Sequence, residues 1–451
     1  MIQSFPNQSV MKKAKRILVW FQQDLRLHDN EALTAALEKG QEIIPVYVFD
    51  PRIWKGKTPN GIRRIEAFRA KFILESVADL RNSFQKAGID LLVRVGFPET
   101  EIPRLASELE TSWVFAMREP MPEEAEIQSA LEKNLWKLGQ ELHYFRGKLL
   151  YHTDDLPFPV PQTPDIFTNF RKEIERGTPV RLPLEVPQVF PEWTFSVDTG
   201  NLPALADFGL SEPLPDERAA FSGKGGETEG LKRLQSYFWE SHFVLRYEET
   251  RNGLIGMEYS TKFSPWLAQG CLSPKFIYQE LKRFEKTVGS NKSTYWLYFE
   301  LLWRDYFRLI GKKYGKKMFT RGGIKGKESK QSIPDWKRFV CWQQAQTGEP
   351  WIDAHLEELR KTGFLSNRGR QNVASFLVND LKLPWQWGAE YFEAMLIDYD
   401  VCSNWGNWNY LAGVGNDPRE DRYFHPQTQA KKYDPEGKFI RLWLSEHSMK
   451  V

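Results

Sequence analysis

What this chain has little of narrows its chemistry first. It has three cysteines in 451 residues, Cys271, Cys341 and Cys402, and no two form a CxxC pair. That pattern supports neither a disulfide framework nor a structural zinc site. The seven histidines are scattered, without HExxH or cluster spacing, so no metal centre is expected. No window approaches the roughly 18 consecutive apolar residues of a membrane span. The fingerprint GxGxxG is missing after the first strand-like run, which continues as WFQQDLRLHDN, so an ordinary dinucleotide-binding domain is not expected. The start, MIQSFPNQSVMKKAKRILVWF, places basic residues before an apolar run too short for a signal peptide. A cytoplasmic location is the expectation.

What is abundant is aromatic. Phe, Trp and Tyr make up 14% of the chain, and 17 residues are tryptophan. That is roughly three times the tryptophan of an average protein. The net charge of +3 is small, but from Arg304 to Arg338 there are 12 Lys and Arg against 3 Asp and Glu. Such a stretch reads either as a solvated basic loop or as a surface that faces a polyanion.

Residues 13–150 alternate strand and helix signals. Apolar runs at Arg16–Phe21, Glu42–Phe49, Asp90–Val95, Trp113–Met117 and Leu142–Phe145 are separated by helical stretches at Glu31–Lys39, Gly61–Lys86 and Pro122–Leu138. Continuous apolar strands between helices predict a doubly wound parallel sheet covered on both faces. Residues 151–225 are a Pro-rich connector, and its closing GKGGETEG reads as a flexible entry to the next helix. Residues 226–446 show helical spacing almost throughout. The expected fold is therefore α/β followed by all-α.

Three stretches of the helical part carry unusual side chains. In ELLWRDYFR, Glu300, Trp303 and Arg304 share one helix face, which Phe307 and Arg308 extend. They read as an intrahelical Glu–Arg pair or as a stacking platform with polar flanks. In SNRGRQNVASFLVNDL, Asn367, Arg368, Arg370 and Gln371 open a helix. An Arg there is electrostatically unfavourable, so Arg370 calls for a carboxylate partner, with Asp398 and Asp400 as candidates. In YSTKFSPWLAQG, Ser260, Thr261 and Ser264 precede a helical run, either as caps or as an anion site. Finally DYDVCSNWGNWNYLAGVGNDP, Asp398–Pro418, is too polar for a core and too aromatic for a solvated loop.

Together these residues resemble the photolyase and cryptochrome flavoproteins, most closely the DASH-type cryptochromes, over nearly the whole chain from WFQQDLRLHDN to FIRLWLSEH. The resemblance implies an α/β antenna domain, a long linker and a helical domain holding FAD. It implies that Tyr247 and the segment Ser260, Thr261, Lys262, Phe263 and Ser264 hold the FAD phosphates and sugar, with Arg304 close by. Arg370 would pair with Asp398, while Asp398, Tyr399, Asp400 and Asn404 would line the flavin's polar edge. Glu300, Trp303, Asn367, Arg368 and Gln371 match positions lining the lesion pocket, and Tyr410 stands where dimer photolyases carry a second lesion-facing Trp.

The implied activity is deoxyribodipyrimidine photolyase. Reduced FAD, excited by blue light, lends one electron to split a cyclobutane pyrimidine dimer, with a bias to single-stranded DNA. A light sensor signalling through a protein or RNA partner is the alternative. Trp408 and Trp385 match the first two members of an electron relay; Ser332 replaces the third, and Trp336 stands four residues on. Glu119, in MREPMPEE, matches a position that holds a methenyltetrahydrofolate antenna, and it also reads as a helix-start acid. The expected partner is single-stranded or locally unpaired DNA carrying pyrimidine dimers, with no membrane, and a monomer is expected.

Overall fold

The computed structural model describes residues 15–40, 42–327, 332–417, 419 and 422–444. The outer limits 13 and 446 expected from the sequence, and the end of FIRLWLSEH, lie outside the described residues. Five parallel strands, β1 (Arg16–Phe21), β2 (Glu42–Phe49), β3 (Leu92–Val95), β4 (Trp113–Met117) and β5 (Glu141–Phe145), form one sheet in the order β3-β2-β1-β4-β5. Ile17, Val19 and Phe21 enter one core, while Leu18 and Trp20 enter another on the opposite face. The period of two thus divides one apolar run between two layers. Each of these side chains is almost fully buried, contributing about 1.5–3 kcal/mol apiece. β3 begins at Leu92, not at the expected Asp90, because the Asp90 carboxylate takes the Arg81 guanidinium and the Leu91 N–H instead.

Helices α1 (Glu31–Lys39), α2 (Ala67–Lys86), α3 (Pro98–Glu108) and α4 (Pro122–Trp136) cover the sheet. α1 starts where the Asn30 side chain accepts the Leu33 N–H, with Glu31 and Lys39 matched to the ends of the helix dipole. α2 was expected from Gly61 but starts at Ala67, after a small bridge between Lys57 and Arg63. The strand order reverses beside β1 and β4, and ligands of such sheets sit beyond the carboxyl ends of those strands. Glu119 stands two residues past the end of β4.

The connector is mostly irregular, yet a helix, α5 (Phe167–Glu175), fits between its prolines. Trp193 and Thr194 tie it to the start of β2 through the Ile43 carbonyl and the Glu42 carboxylate. The expected flexible entry at GKGGETEG is instead close-packed. A Cβ on Gly225 would overlap the Phe72 carbonyl and Ser76 of α2, and Gly226 has φ +112°. The chain passes there into α6 (Glu227–Gln235), whose buried Glu227 accepts the Leu27 N–H and pairs with His28.

Among the described residues no strand follows β5. The longer helices are α7 (Pro274–Thr287), α8 (Lys292–Tyr314), α9 (Trp336–Gln343), α10 (Pro350–Thr362), α11 (Asn367–Ser375), α12 (Trp385–Met395) and α13 (Val401–Leu411). α8 is capped by Asn291, which accepts from Ser293 and Thr294 N–H while the Thr294 hydroxyl accepts the Asn291 N–H. α13 is capped by Asp400, which accepts the Ser403 N–H at 2.8 Å. No helix among the described residues is long and apolar enough to cross a membrane, and no group of three His, Cys, Asp or Glu among them could hold a metal.

Candidate cofactor and substrate cavity

A cavity of about 320 Å³ opens between α8, α11, α13 and the segment 259–268. Its walls include Tyr247, Ser260, Thr261, Lys262, Phe263, Ser264, Glu300, Arg304, Asn367, Arg370, Gln371, Asp398, Tyr399, Asp400, Asn404 and Trp408. Residues expected at a cofactor and residues expected at a substrate therefore border one space. Trp303, Arg368, Trp385, Tyr410 and Glu119 do not line it.

One end of the cavity is rich in donors. Ser260 and Thr261 do not cap the helix after them: that helix is only Ser264–Ala268, with Phe263 at its cap position and no side-chain cap bond. The capping alternative therefore falls away, and so short a helix offers little dipole. The hydroxyls of Ser260 and Ser264, the adjoining backbone and the Lys262 ammonium are the donors on this part of the wall. Lys262 is buried with φ +59°, lies 3.2 Å above the Tyr259 ring centroid, and its Nζ has no hydrogen-bond partner. Burial pushes its pKa well below the ordinary lysine value, against the pull of Glu358. An arriving anion would satisfy that ammonium and favour its charged form.

Tyr247 closes this side. Burial and then Glu300 push its phenol well above the ordinary value, so it stays protonated.

Beside these donors is a polar edge of acids held by arginines, Lys262 and Arg370 both lying over the Phe364 ring. Arg370 Nη2 donates to Asp398 at 2.8 Å, which singles out Asp398 from the two candidate partners. The second Asp398 oxygen is buried without a partner. Asp400 faces Arg308 instead, at 2.8 Å. Burial raises its pKa, but Arg308, Arg304 and the Ser403 N–H outweigh that and hold it below the usual carboxylate range. Asn404 gives its amide N–H to the Ala389 carbonyl at 3.0 Å, which leaves its oxygen as the free acceptor. The Tyr399 hydroxyl donates to Glu393, so this residue brings no hydroxyl to the edge.

Arg304 does not pair with Glu300 along the helix, as one reading of ELLWRDYFR expected. It donates to the Lys148 and Leu267 carbonyls, and burial with Arg308 nearby lowers its pKa to about 10. Glu300 pairs with Arg251, and burial raises its pKa despite that partner. Arg251 is a wall residue that sequence reasoning missed; it stands 49 positions from Glu300, where no helical spacing could reveal it. Arg308, which the sequence placed only as an extension of the Glu300 stripe, is fully engaged by Asp400 and Glu119.

The aromatic side chains near the cavity are mutually engaged. Trp303 stacks on Phe167 of the connector at 3.7 Å and 7°, and meets the Tyr410 ring edge-on at 6.2 Å. Tyr410 also accepts from Arg419 and lies under Arg422. Arg368 donates to Gln371 and Asn252 and covers the Tyr433 ring. Trp408 lies so close to Gly388 of α12 that a Cβ there would overlap its ring. Trp385 meets Trp405 at 5.6 Å, while Trp336, half exposed, meets Trp387 at 5.2 Å.

Glu119 is buried away from this cavity. Its carboxylate pairs with Lys148 and, at 2.8 Å, with Arg308. The helix-start reading does not hold, because α4 opens with Glu123 and Glu124 in its first turn. Of the basic run 304–338, Arg304 and Arg308 belong to the cavity and its supports, whereas Lys312, Lys316, Lys317, Arg321 and Lys325 are exposed.

An FAD fits these walls on their own chemistry. A buried unpartnered ammonium and hydroxyls suit phosphates, and an unpartnered carboxylate oxygen with an amide oxygen suits a ring edge bearing N–H groups. Comparisons with known proteins agree. Residues 17–188 match the family described as DNA photolyase, and residues 296–449 match the FAD binding domain of DNA photolyase. Cryptochrome DASH of Gloeobacter violaceus is 50% identical over 96% of this chain and 86% of its own length. The crystal structure of a Synechocystis sp. cryptochrome superposes with a TM-score of 0.93 at 47% identity, covering 97% of this chain and 90% of that one. A class III photolyase from Agrobacterium tumefaciens gives 0.82 at 27% identity, over 98% and 89%.

Proposed function

This chain belongs to the DASH cryptochromes of the DNA photolyase family, and on that premise we propose that it repairs cyclobutane pyrimidine dimers under blue light, with a bias to single-stranded DNA. The observation that carries the reading is the single cavity whose walls hold both the flavin-type polar edge and Glu300, Asn367 and Gln371. A flavin and a flipped-out pyrimidine dimer would then be neighbours, as direct electron transfer requires.

Reduced FAD, when bound and excited, supplies the electron that splits the dimer ring and receives it back. The protein's part is to hold, orient and exclude. Ser260, Ser264 and Lys262 would take the phosphates. Asp398 and Asp400, fixed by Arg370 and Arg308, would accept from ring N–H groups. The Asn404 oxygen, an acceptor and not a donor, would hold a proton on the ring nitrogen it faces. Glu300, held by Arg251, would hydrogen-bond a dimer base.

The bias to single strands rests on the aromatic wall. Extruding a lesion from a duplex costs a few kcal/mol of stacking and pairing, least when the strand is already unpaired. Base–aromatic stacking repays about 1–3 kcal/mol per base. Here Trp303 has one face covered by Phe167, and Tyr410 stands edge-on to it. Little free ring surface remains to offset duplex opening. The exposed lysines and Arg321 of the basic run would meet the phosphate backbone.

Trp408 and Trp385 would pass electrons inward, with Trp336 as the outermost member through Trp387. A methenyltetrahydrofolate antenna at Glu119 would have to share a carboxylate that already accepts from Lys148 and Arg308. The test is blue-light repair of a dimer-bearing oligonucleotide in single- and double-stranded form. Turnover on the single strand supports the reading; flavin photoreduction without any turnover would favour a light sensor.

A further inference from the structure

Glu119 lies just beyond the carboxyl end of β4, at the reversal of strand order where sheets of this kind bind ligands. One carboxylate oxygen pairs with Lys148 and the other accepts from Arg308 Nη2 at 2.8 Å. The second nitrogen of the same guanidinium, Nη1, donates to Asp400 Oδ2 at 2.8 Å. Glu119, Lys148, Arg308 and Asp400 are all buried. The remaining Asp400 oxygen caps α13 through the Ser403 N–H. Arg304, on the cavity wall, donates to the backbone carbonyl of Lys148. A glutamate of the α/β part is thus one guanidinium away from the cavity's polar edge.

A planar guanidinium that grips two carboxylates is held in direction as well as in charge. Were Glu119 absent, Arg308 would lose the contact that fixes its far side, and its full charge would fall on Asp400. We propose that Glu119 is a positioning residue for the flavin edge, which acts through Arg308 to set the orientation and effective charge of Asp400. The inference rests on the reading that FAD occupies the cavity. It gives the interface between the two parts of the fold a chemical task, because the acid that tunes the cofactor edge belongs to the sheet and not to the helical part.

The test uses purified flavoprotein and reads FAD dissociation, the fine structure of the flavin absorption band and the flavin midpoint potential. Glu119→Gln should raise the FAD dissociation constant about tenfold or more, the loss expected for a charge-assisted hydrogen bond. It should also shift the potential in the positive direction, because one buried negative charge is removed. Asp400→Asn should shift it the same way. In the double variant the two shifts should be clearly less than additive, because both changes act at one carboxylate.

Additive shifts would mean that Glu119 acts only as a distant charge, and would overturn the proposal. So would a Glu119→Gln protein that loses a near-ultraviolet antenna band while its FAD affinity and spectrum stay unchanged. Should Glu119→Gln not fold, Arg308→Lys, which keeps the charge and loses the two-sided grip, is expected to change the dissociation constant and spectrum in the same sense; an unchanged flavin there would also overturn it. Wild-type protein that binds no FAD would instead overturn the cavity reading on which the proposal stands.

Discussion

Trp303 and Phe167 lie face to face, their ring centroids 3.7 Å apart and their planes 7° from parallel. One ring comes from the helix that carries Glu300 and the other from the connector, 136 residues earlier in the chain. On the proposed function the connector would thereby back a ring that faces the lesion. Phe167→Ala is expected to cost about 3–5 kcal/mol of stability, as for a buried phenylalanine. It should also weaken binding of dimer-bearing single strands by loosening Trp303. Urea unfolding with a binding titration checks both, and an unchanged affinity would separate Trp303 from the lesion.

Arg370→Met leaves Asp398 buried without its cation. Breaking such a pair from one side costs about 3–5 kcal/mol. The variant should unfold at lower denaturant and purify with little FAD. Full flavin content in that variant would show that Asp398 needs no partner to serve the cavity.

Glu358 on α10 gives the protein a titration of its own. Both carboxylate oxygens lack partners, and burial lifts its pKa to about 8 from 4.5, against Lys262 and Arg370. Between those values the folded chain keeps a proton that the unfolded chain has released. Stability from this group is therefore full below pH 4.5 and is lost as pH rises through about 8, at no more than about 1.4 kcal/mol per pH unit. Glu358→Gln should flatten the denaturation midpoint between pH 5 and pH 8 and exceed wild type above pH 8. Parallel profiles for the two proteins would show that the carboxyl is charged in the fold.

Trp336→Phe should slow photoreduction of the bound flavin, and Trp385→Phe should slow it far more. Trp336 is half exposed and meets Trp387, whereas Ser332, the position the resemblance gives to a third relay tryptophan, accepts from Arg321. Transient absorption in the two variants reads this. A Trp336→Phe protein as fast as wild type would exclude that ring as the outer relay and leave the exit to Trp405, which touches Trp385.

Much of this arrangement was legible in the sequence because it is local. Apolar runs marked the inner strands β1, β2 and β4, since a strand buried on both faces has few polar positions, while the edge strands β3 and β5 keep Arg94 and His143. The unfavourable Arg370 at a helix start pointed to a carboxylate, and Asp398 is that carboxylate. What escaped was set by contacts between distant segments. Nothing in MREPMPEE announces that Glu119 meets Arg308, 189 positions on. GKGGETEG looked loose because glycine serves close packing and mobility with the same letter; only the backbone of α2 against Gly225 decides between them. The Glu300–Arg304 spacing was right for an ion pair, but each side chain found a partner from another segment.

The central claim is that one cavity brings a light-absorbing flavin against a pyrimidine dimer with too little aromatic surface to open a duplex. The most direct measurement is the initial rate of blue-light repair of one dimer placed in the same oligonucleotide, single-stranded and annealed to its complement. The account predicts clear repair of the single strand, much slower repair of the duplex, and loss of both in Glu300→Ala. Equal rates on the two substrates would contradict the argument from Trp303, Phe167 and Tyr410, and no repair of the single strand would contradict the assignment of the cavity itself.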